Sequence, residues 1–304
     1  SESGGTATFS VVLNTQPTAS VTIGLSSSIP SEGSVSPTSL TFTTTNWNSP
    51  QTVTVTGLDD FIDDGDVSFS IITAVPTGTD TTYTAINPAD VSVTNTDDDT
   101  AGITVNPTSD LTVTEAGGTA TFTIVLTSEP ANYNTVEITL NSSDSTEGTI
   151  SPQVVIFNNL TWDDPQTFTI QGVNDLLDDG DIPFTINTTT AWSLDPKYNG
   201  MVVADVSATC IDDDTAGITV TPTGGLTVTE AGGTATFTIV LNTQPTASVT
   251  IGLSSSDLSE GNVSPTSLTF TTTNWNSPQT VTVTGLNDFI DDGDVSFSII
   301  TAVP

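Results

Sequence analysis

Short runs in which every second residue is apolar recur along the whole chain. Between 101 and 215 the alternation marks strands at 103–114, 119–126, 136–140, 153–157, 166–171, 182–188 and 205–211, lettered A to G in order. A period of two puts successive side chains on opposite faces of a strand, so one face meets a core and the other meets water. Turn-forming residues separate the runs, as in Ala116-Gly117-Gly118. No segment carries helical periodicity with caps. Seven short strands in about 114 residues predict an all-β, immunoglobulin-like sandwich.

The pattern repeats. Ala-Gly-Ile-Thr-Val begins at Ala101 and Ala216, and Thr-Glu-Ala-Gly-Gly at Thr114 and Thr229, with Glu2-Ser3-Gly4-Gly5 matching the latter at the start. Residues 6–76 and 234–304 differ at six positions, which reads as a recent duplication. The repeats divide the chain into units 1–100, 101–215 and 216–304, and a tandem array of sandwiches predicts a rod. By this alignment unit 1 has no strand A and unit 3 no strand G, which suits either a longer array or modules that complement one another by strand addition.

Composition then singles out the aspartates. Net charge is −35, with one Lys or Arg and no His. Such a chain repels nucleic acid and anionic membrane surfaces, both of which need cationic side chains, and attracts cations. No run approaches the roughly 20 apolar residues of a membrane helix. Of 28 aspartates, 19 fall in five short stretches: 59–66, 97–99, 174–181, 212–214 and 287–294. A surface adapted to salt spreads its acids over the strands, whereas here the strands carry Thr and Ser.

If strands alternate in direction, the A–B, C–D and E–F connections and the end of strand G share one pole of the sandwich. In unit 2 that gathers Glu115, Asp144, Glu147, the acidic loop 174–181 and Asp212-Asp213-Asp214. Two carboxylates about 4 Å apart repel by about 4 kcal/mol at an effective dielectric of 20, so such a pole needs a counter-ion. Calcium takes 6–8 oxygen ligands in flexible geometry; magnesium demands a strict octahedron, and zinc and copper lack their usual His and Cys ligands here. The pole of unit 2 offers Glu115, Asp175, Asp178, Asp179, Asp181, Asp212, Asp213 and Asp214 to Ca2+.

Thr-Glu-Ala-Gly-Gly, an Asp/Asn-Asp-x-x-Asp-Asp-Gly-Asp loop before a strand, and a closing Asp-Asp-Asp together resemble the Calx-beta domain over the whole chain. That family takes its name from regulatory loops of sodium/calcium exchangers and is common in large bacterial surface proteins. The resemblance implies calcium ligands at Glu2, Asp59, Asp63, Asp66, Asp97, Asp98 and Asp99 in unit 1. In unit 2 it implies Glu115, Asp178, Asp181, Asp212, Asp213 and Asp214. Asp60 and Asp175 from the same loops, and Glu230, Asp288, Asp291 and Asp294 from unit 3, complete the candidate set. Two departures bear on it. The first loop position is Asp59 but Asn174 and Asn287, and a further ligand position in the C–D loop holds Asp144 and Asp257 but Ile29 in unit 1.

Other residues have quieter readings. Cys210, aligned with Thr96, reads as a small strand residue. Trp47, Trp162 and Trp275, in a shared Trp-x-x-Pro-Gln-Thr context, read as packing over the sandwich end, with carbohydrate stacking as the rival. The loop with Trp192, Lys197 and Tyr198 reads as flexible, or as a contact site private to unit 2. Catalysis lacks its usual parts, so no enzyme is expected. Only three residues separate Asp99 from Ile103, so an ion at the pole lies beside the next unit. The expectation is a calcium-binding structural repeat of an extracellular adhesin, stalk or filament, whose partners are its neighbouring repeats, further copies or a cell-surface glycan. The alternatives are a calcium sensor and a carbohydrate-binding module.

Overall fold

A computed structural model describes residues 1–287 and 293–303. The regular structure is β-strand apart from two single-turn 3-10 helices at Tyr83–Ala85 and Ala131–Tyr133. The middle unit shows the architecture best. One sheet runs in the order Leu111–Thr114, Val206–Ile211, Ile182–Thr188, Val136–Ser142, Val154–Phe157. The facing sheet runs Gly148–Ser151, Gln166–Gly172, Thr119–Leu126, Ile103–Asn106. Alternation works as the sequence requires: Phe122, Ile124 and Leu126 point inward from one strand and Val136, Ile138 and Leu140 from another. Phe122 lies opposite Phe168 in the ladder, and their rings stack at 5.3 Å. Buried residues form three separate clusters, centred on Phe42 and Ile71, on Phe122 and Phe157, and on Phe237 and Phe270.

One predicted strand changes sheets partway, and one predicted loop holds a strand of the other sheet. The run 103–114 is two strands, because Pro107 has no N–H to give a ladder and interrupts the pairing. Ile103–Asn106 pairs antiparallel with Thr119–Leu126, whereas Leu111–Thr114 pairs parallel with Val206–Ile211, Thr114 opposite Ile211. Pro152 likewise separates strands of the two sheets. Gly148–Ser151, expected in a loop, pairs with Gln166–Gly172, and only Val154–Phe157 lies beside Val136–Ser142. Gly148 has to be glycine there, since a Cβ would meet the Phe184 ring at 2.3 Å.

Three further expectations are corrected. The loop of Trp192, Lys197 and Tyr198 is not flexible: the Tyr198 ring is fully buried. Its hydroxyl donates to Ser128 O (2.6 Å) and accepts from Ser128 N (3.1 Å). Nor is this anchor private, because Tyr83 binds Thr15 in the same way in unit 1. Asp195 and Asp80 each brace their loop by accepting backbone N–H groups, from Ala131 and Lys197 and from Thr18 and Thr82 respectively. Finally, Cys210 aligns with Asn95 and not Thr96: Cys210 pairs with Ile182 as Asn95 pairs with Val67, the first residues of equivalent strands.

Candidate metal centre

The parallel pairing of Leu111–Thr114 with Val206–Ile211 delivers Glu115 to the end of the strand that leads into Asp212. Glu115 N donates to Ile211 O (3.1 Å), and Glu2 N donates to Thr96 O (3.0 Å) at the matching place in unit 1. Both glutamates are buried, 2% and 1% exposed, and Oε2 of each has no hydrogen-bond partner. Glu147 from the short loop 143–147 is 5% exposed, and its Oε2 is likewise unpartnered. Leaving such an atom unpaired costs about 1–3 kcal/mol and more for a charged group, so these oxygens are poised for a cation.

Ligating atoms converge to within 4.8 Å of one another in two groups in unit 1, Glu2 with Asp97 and Asp99, and Glu32 with Asp60 and Asp64. Unit 2 has two related groups, Glu115 with Asp175 and Asp214, and Glu147 with Asp175 and Asp179, so that Asp175, the counterpart of Asp60, takes part in both. Acids inside and beside these groups also shape the backbone that holds them. Asp97 Oδ2 accepts from Gly65 N (2.6 Å), its Oδ1 accepts from Asp99 N (2.8 Å), and its own N–H donates to Asp66 Oδ1 (3.2 Å). In unit 2 Asp212 accepts from Gly180 N and Asp214 N, both at 2.8 Å, and its own N–H donates to Asp181 Oδ1 (3.2 Å). Asp60 and Asp175 each accept the N–H two residues on, closing the first turn of the acidic loop. Asp98 accepts from Ser3 N at 3.2 Å. Asp59 and Asp213 are exposed at the rim.

Crowding shows in the acid strengths. Burial pushes Glu115 up to about 7, helped by the charges of Asp175, Asp212, Asp179 and Glu147. Burial does the same to Glu2, again to about 7, with Asp60, Asp97, Asp64 and Glu32 adding to it. Asp64, Asp99, Glu147, Asp179 and Asp214 are raised for the same reasons in the same order, burial first and neighbouring carboxylates second. A cation among them would reverse every one of these shifts.

Glu32, Glu147 and Asp64 stand in the converging groups although the ligand set read from sequence omitted them, and Asp179, offered at the pole but left out of the set that the family resemblance implied, stands there too. A signal for the glutamates was there, since Glu-Gly recurs as Glu32-Gly33, Glu147-Gly148 and Glu260-Gly261. Asp144, by contrast, caps its own loop, accepting from Thr146 N (3.0 Å) and Thr146 Oγ1 (2.5 Å). In unit 3, residues 226–229 form no strand and Glu230 is exposed, as is Asp294. Asp288 and Asp291 lie outside the described residues.

The pole also touches the following unit. Asp63 Oδ2 accepts from Ala101 N (2.9 Å), and Asp178 Oδ2 from Ala216 N (2.7 Å). Phe61 O accepts from Glu129 N (2.6 Å), and Leu176 O from Gln244 N (2.7 Å). The Phe61 ring lies 5.7 Å from Trp162, which also packs against the core of unit 2. The Lys197 ammonium donates to Asp63 Oδ1, and this lysine is the chain's only Lys or Arg.

No family model and no curated protein matches the chain. Among solved structures it is similar to the apo-form Calx CBD1 domain, at 19% identity over 38% of this chain and 100% of that one, TM-score 0.29. The calcium binding domain CBD12 of CALX1.1 is 19% identical over 66% of this chain and 80% of that one, TM-score 0.30. Domains 4–9 of the surface layer protein SbsC are 12% identical over 96% and 39%, TM-score 0.28.

Proposed function

We propose that the chain is a calcium-binding structural array in which each acidic pole holds Ca2+ against the start of the next unit. The observation that carries this is the repeated buried glutamate, Glu2 and Glu115, each with an unpartnered oxygen facing carboxylates from the acidic loop and the aspartate triplet. An all-oxygen donor set from several loops suits calcium's large, adaptable coordination shell. Glu2, Asp97 and Asp99 would hold it in unit 1, with Glu32, Asp60 and Asp64 providing a second group. In unit 2 the corresponding residues are Glu115, Asp175 and Asp214, with Glu147 and Asp179.

The consequence is mechanical. Asp63 and Asp178 already bind the first backbone N–H groups of the following unit, so ordering the acidic loop orders the junction. A chain of such junctions makes a stiff spacer suited to an extracellular adhesin, stalk or filament, with no reaction to catalyse. Among the described residues no helix is long and apolar enough to cross a membrane. Calorimetric titration of the full chain with calcium, with magnesium as control, tests the reading. Calcium-specific heat, lost when Glu2→Gln and Glu115→Gln are combined, is the expected result; heats no larger than magnesium's would overturn it.

A further inference from the structure

We propose that the second unit carries an inner site for a thiophilic divalent cation of the zinc and cadmium class, formed by Cys210, Glu115 and Glu147. The ligating atoms of these three residues lie within 4.8 Å of one another, and all three residues are buried. Cys210 is 1% exposed, and the Oε2 atoms of both glutamates are buried with no hydrogen-bond partner. A cysteine or a pair of acids alone would be unremarkable in a core; two unpaired carboxylate oxygens beside a thiol are not.

The first unit shows what this position does when no soft ligand is present. There Asn95 takes the place of Cys210, and its Nδ2 reaches Glu2 Oε1 (3.4 Å), Glu32 Oε2 (3.5 Å) and Leu58 O (3.2 Å). An amide thus bridges the glutamate pair with neutral donors. The cysteine of unit 2 offers at best one weak S–H donor and is a strong ligand once deprotonated.

The chemistry fits a borderline or soft ion. Zinc bonds to sulfur are about 2.3 Å and to carboxylate oxygen about 2.0–2.2 Å, which puts ligand atoms roughly 3.3–3.7 Å apart. From separations of at most 4.8 Å, the three groups need to close by no more than about 1.5 Å. Calcium, a hard ion, gains nothing from the sulfur. The thiolate, and not the thiol, is the metal ligand. Binding then forms the sulfur–metal bond and releases the thiol proton to solvent. Glu115 and Glu147 also belong to the outer groups with Asp175, Asp179 and Asp214, so the inner site adjoins the pole.

Cadmium is the probe, since sulfur-to-cadmium charge transfer absorbs in the near ultraviolet and the chain has a single cysteine. Titrating the reduced, chelator-stripped full chain with Cd2+ should give a saturating band that calcium alone never produces. Cys210→Asn should abolish the band while leaving the fold intact, because asparagine occupies this register in unit 1. Glu147→Gln should keep the band at saturation but weaken binding at least tenfold. No band in the unsubstituted chain, or equal affinity in Glu147→Gln, would overturn the proposal. The calcium reading is scored separately, by calcium binding in Cys210→Asn, so either can fail without the other.

Discussion

The first and second acidic poles share one scaffold and differ in what stands behind and in front of it. The shared part is backbone. Gly65 and Gly180 donate to the first aspartate of their triplets, and Ala101 and Ala216 donate to Asp63 and Asp178. Behind this scaffold stands Asn95 in the first unit and Cys210 in the second. In front, Asp63 of the first pole carries the ammonium of Lys197, which comes from the second unit. The lesson is that turns and hydrogen bonds to backbone fix where the carboxylates go. One neighbouring side chain then decides how they are compensated.

The largest effect that would test this equivalence comes from the buried glutamates. Calcium at a hundred times its dissociation constant stabilises a site by about 2.7 kcal/mol. Glu115→Gln should abolish that gain in unit 2 without destabilising the metal-free chain at neutral pH, since it removes an unpaired buried charge. Glu2→Gln should do the same in unit 1. Chemical unfolding with and without calcium checks both; a variant that weakens the metal-free fold instead would show that the glutamate is structural.

The pH response sharpens the comparison. Glu2 and Glu115 are both raised to about 7 from 4.5. In the metal-free chain their contribution to stability is therefore full below about 4.5 and is lost as pH climbs through about 7. Melting temperature without calcium should fall between pH 5 and pH 7.5, and calcium should flatten or reverse the slope. Asp63 is lowered, first by the Ala101 N–H and then by Lys197. Its contribution has the opposite sign, present above its ordinary 3.8 and lost only on stronger acidification. A metal-free melting temperature that rises from pH 5 to pH 7.5 would contradict this assignment.

The smallest effect concerns Lys197. Its ammonium is half exposed, so the ion pair with Asp63 is worth under about 1 kcal/mol. Lys197→Met in a Glu115→Gln background, where the first pole is left to report, should barely change stability yet tighten calcium several-fold by freeing Asp63. Weaker calcium binding would mean that the lysine organises the loop instead of competing with the ion.

Much of this was legible in the sequence. Alternation located the core faces through Phe122, Ile124 and Leu126, and strand parity brought Glu115 and the triplet to one pole. The sheet change at Pro107 was not legible, because alternation says nothing about a strand's partners, and Gly148–Ser151 was read as loop because its four residues carry a single large apolar side chain, Ile150. Glu147 was placed at the pole but passed over as a ligand, its neighbour Asp144 looking the better acid until its bonds to Thr146 were seen. Asp195-x-x-Tyr198 looked private only because its repeat, Asp80-x-x-Tyr83, sits in dissimilar surroundings. The burial of Cys210 between two glutamates depends on three strands meeting, which no local pattern encodes.

Thermal unfolding of the full chain in calcium, in magnesium and in chelator tests the central claim most directly. If the poles are calcium sites, calcium alone raises the melting temperature, by on the order of 10 °C for a cooperative unit of about 100 residues at the stabilisation given above. Three coincident unfolding curves would contradict the account.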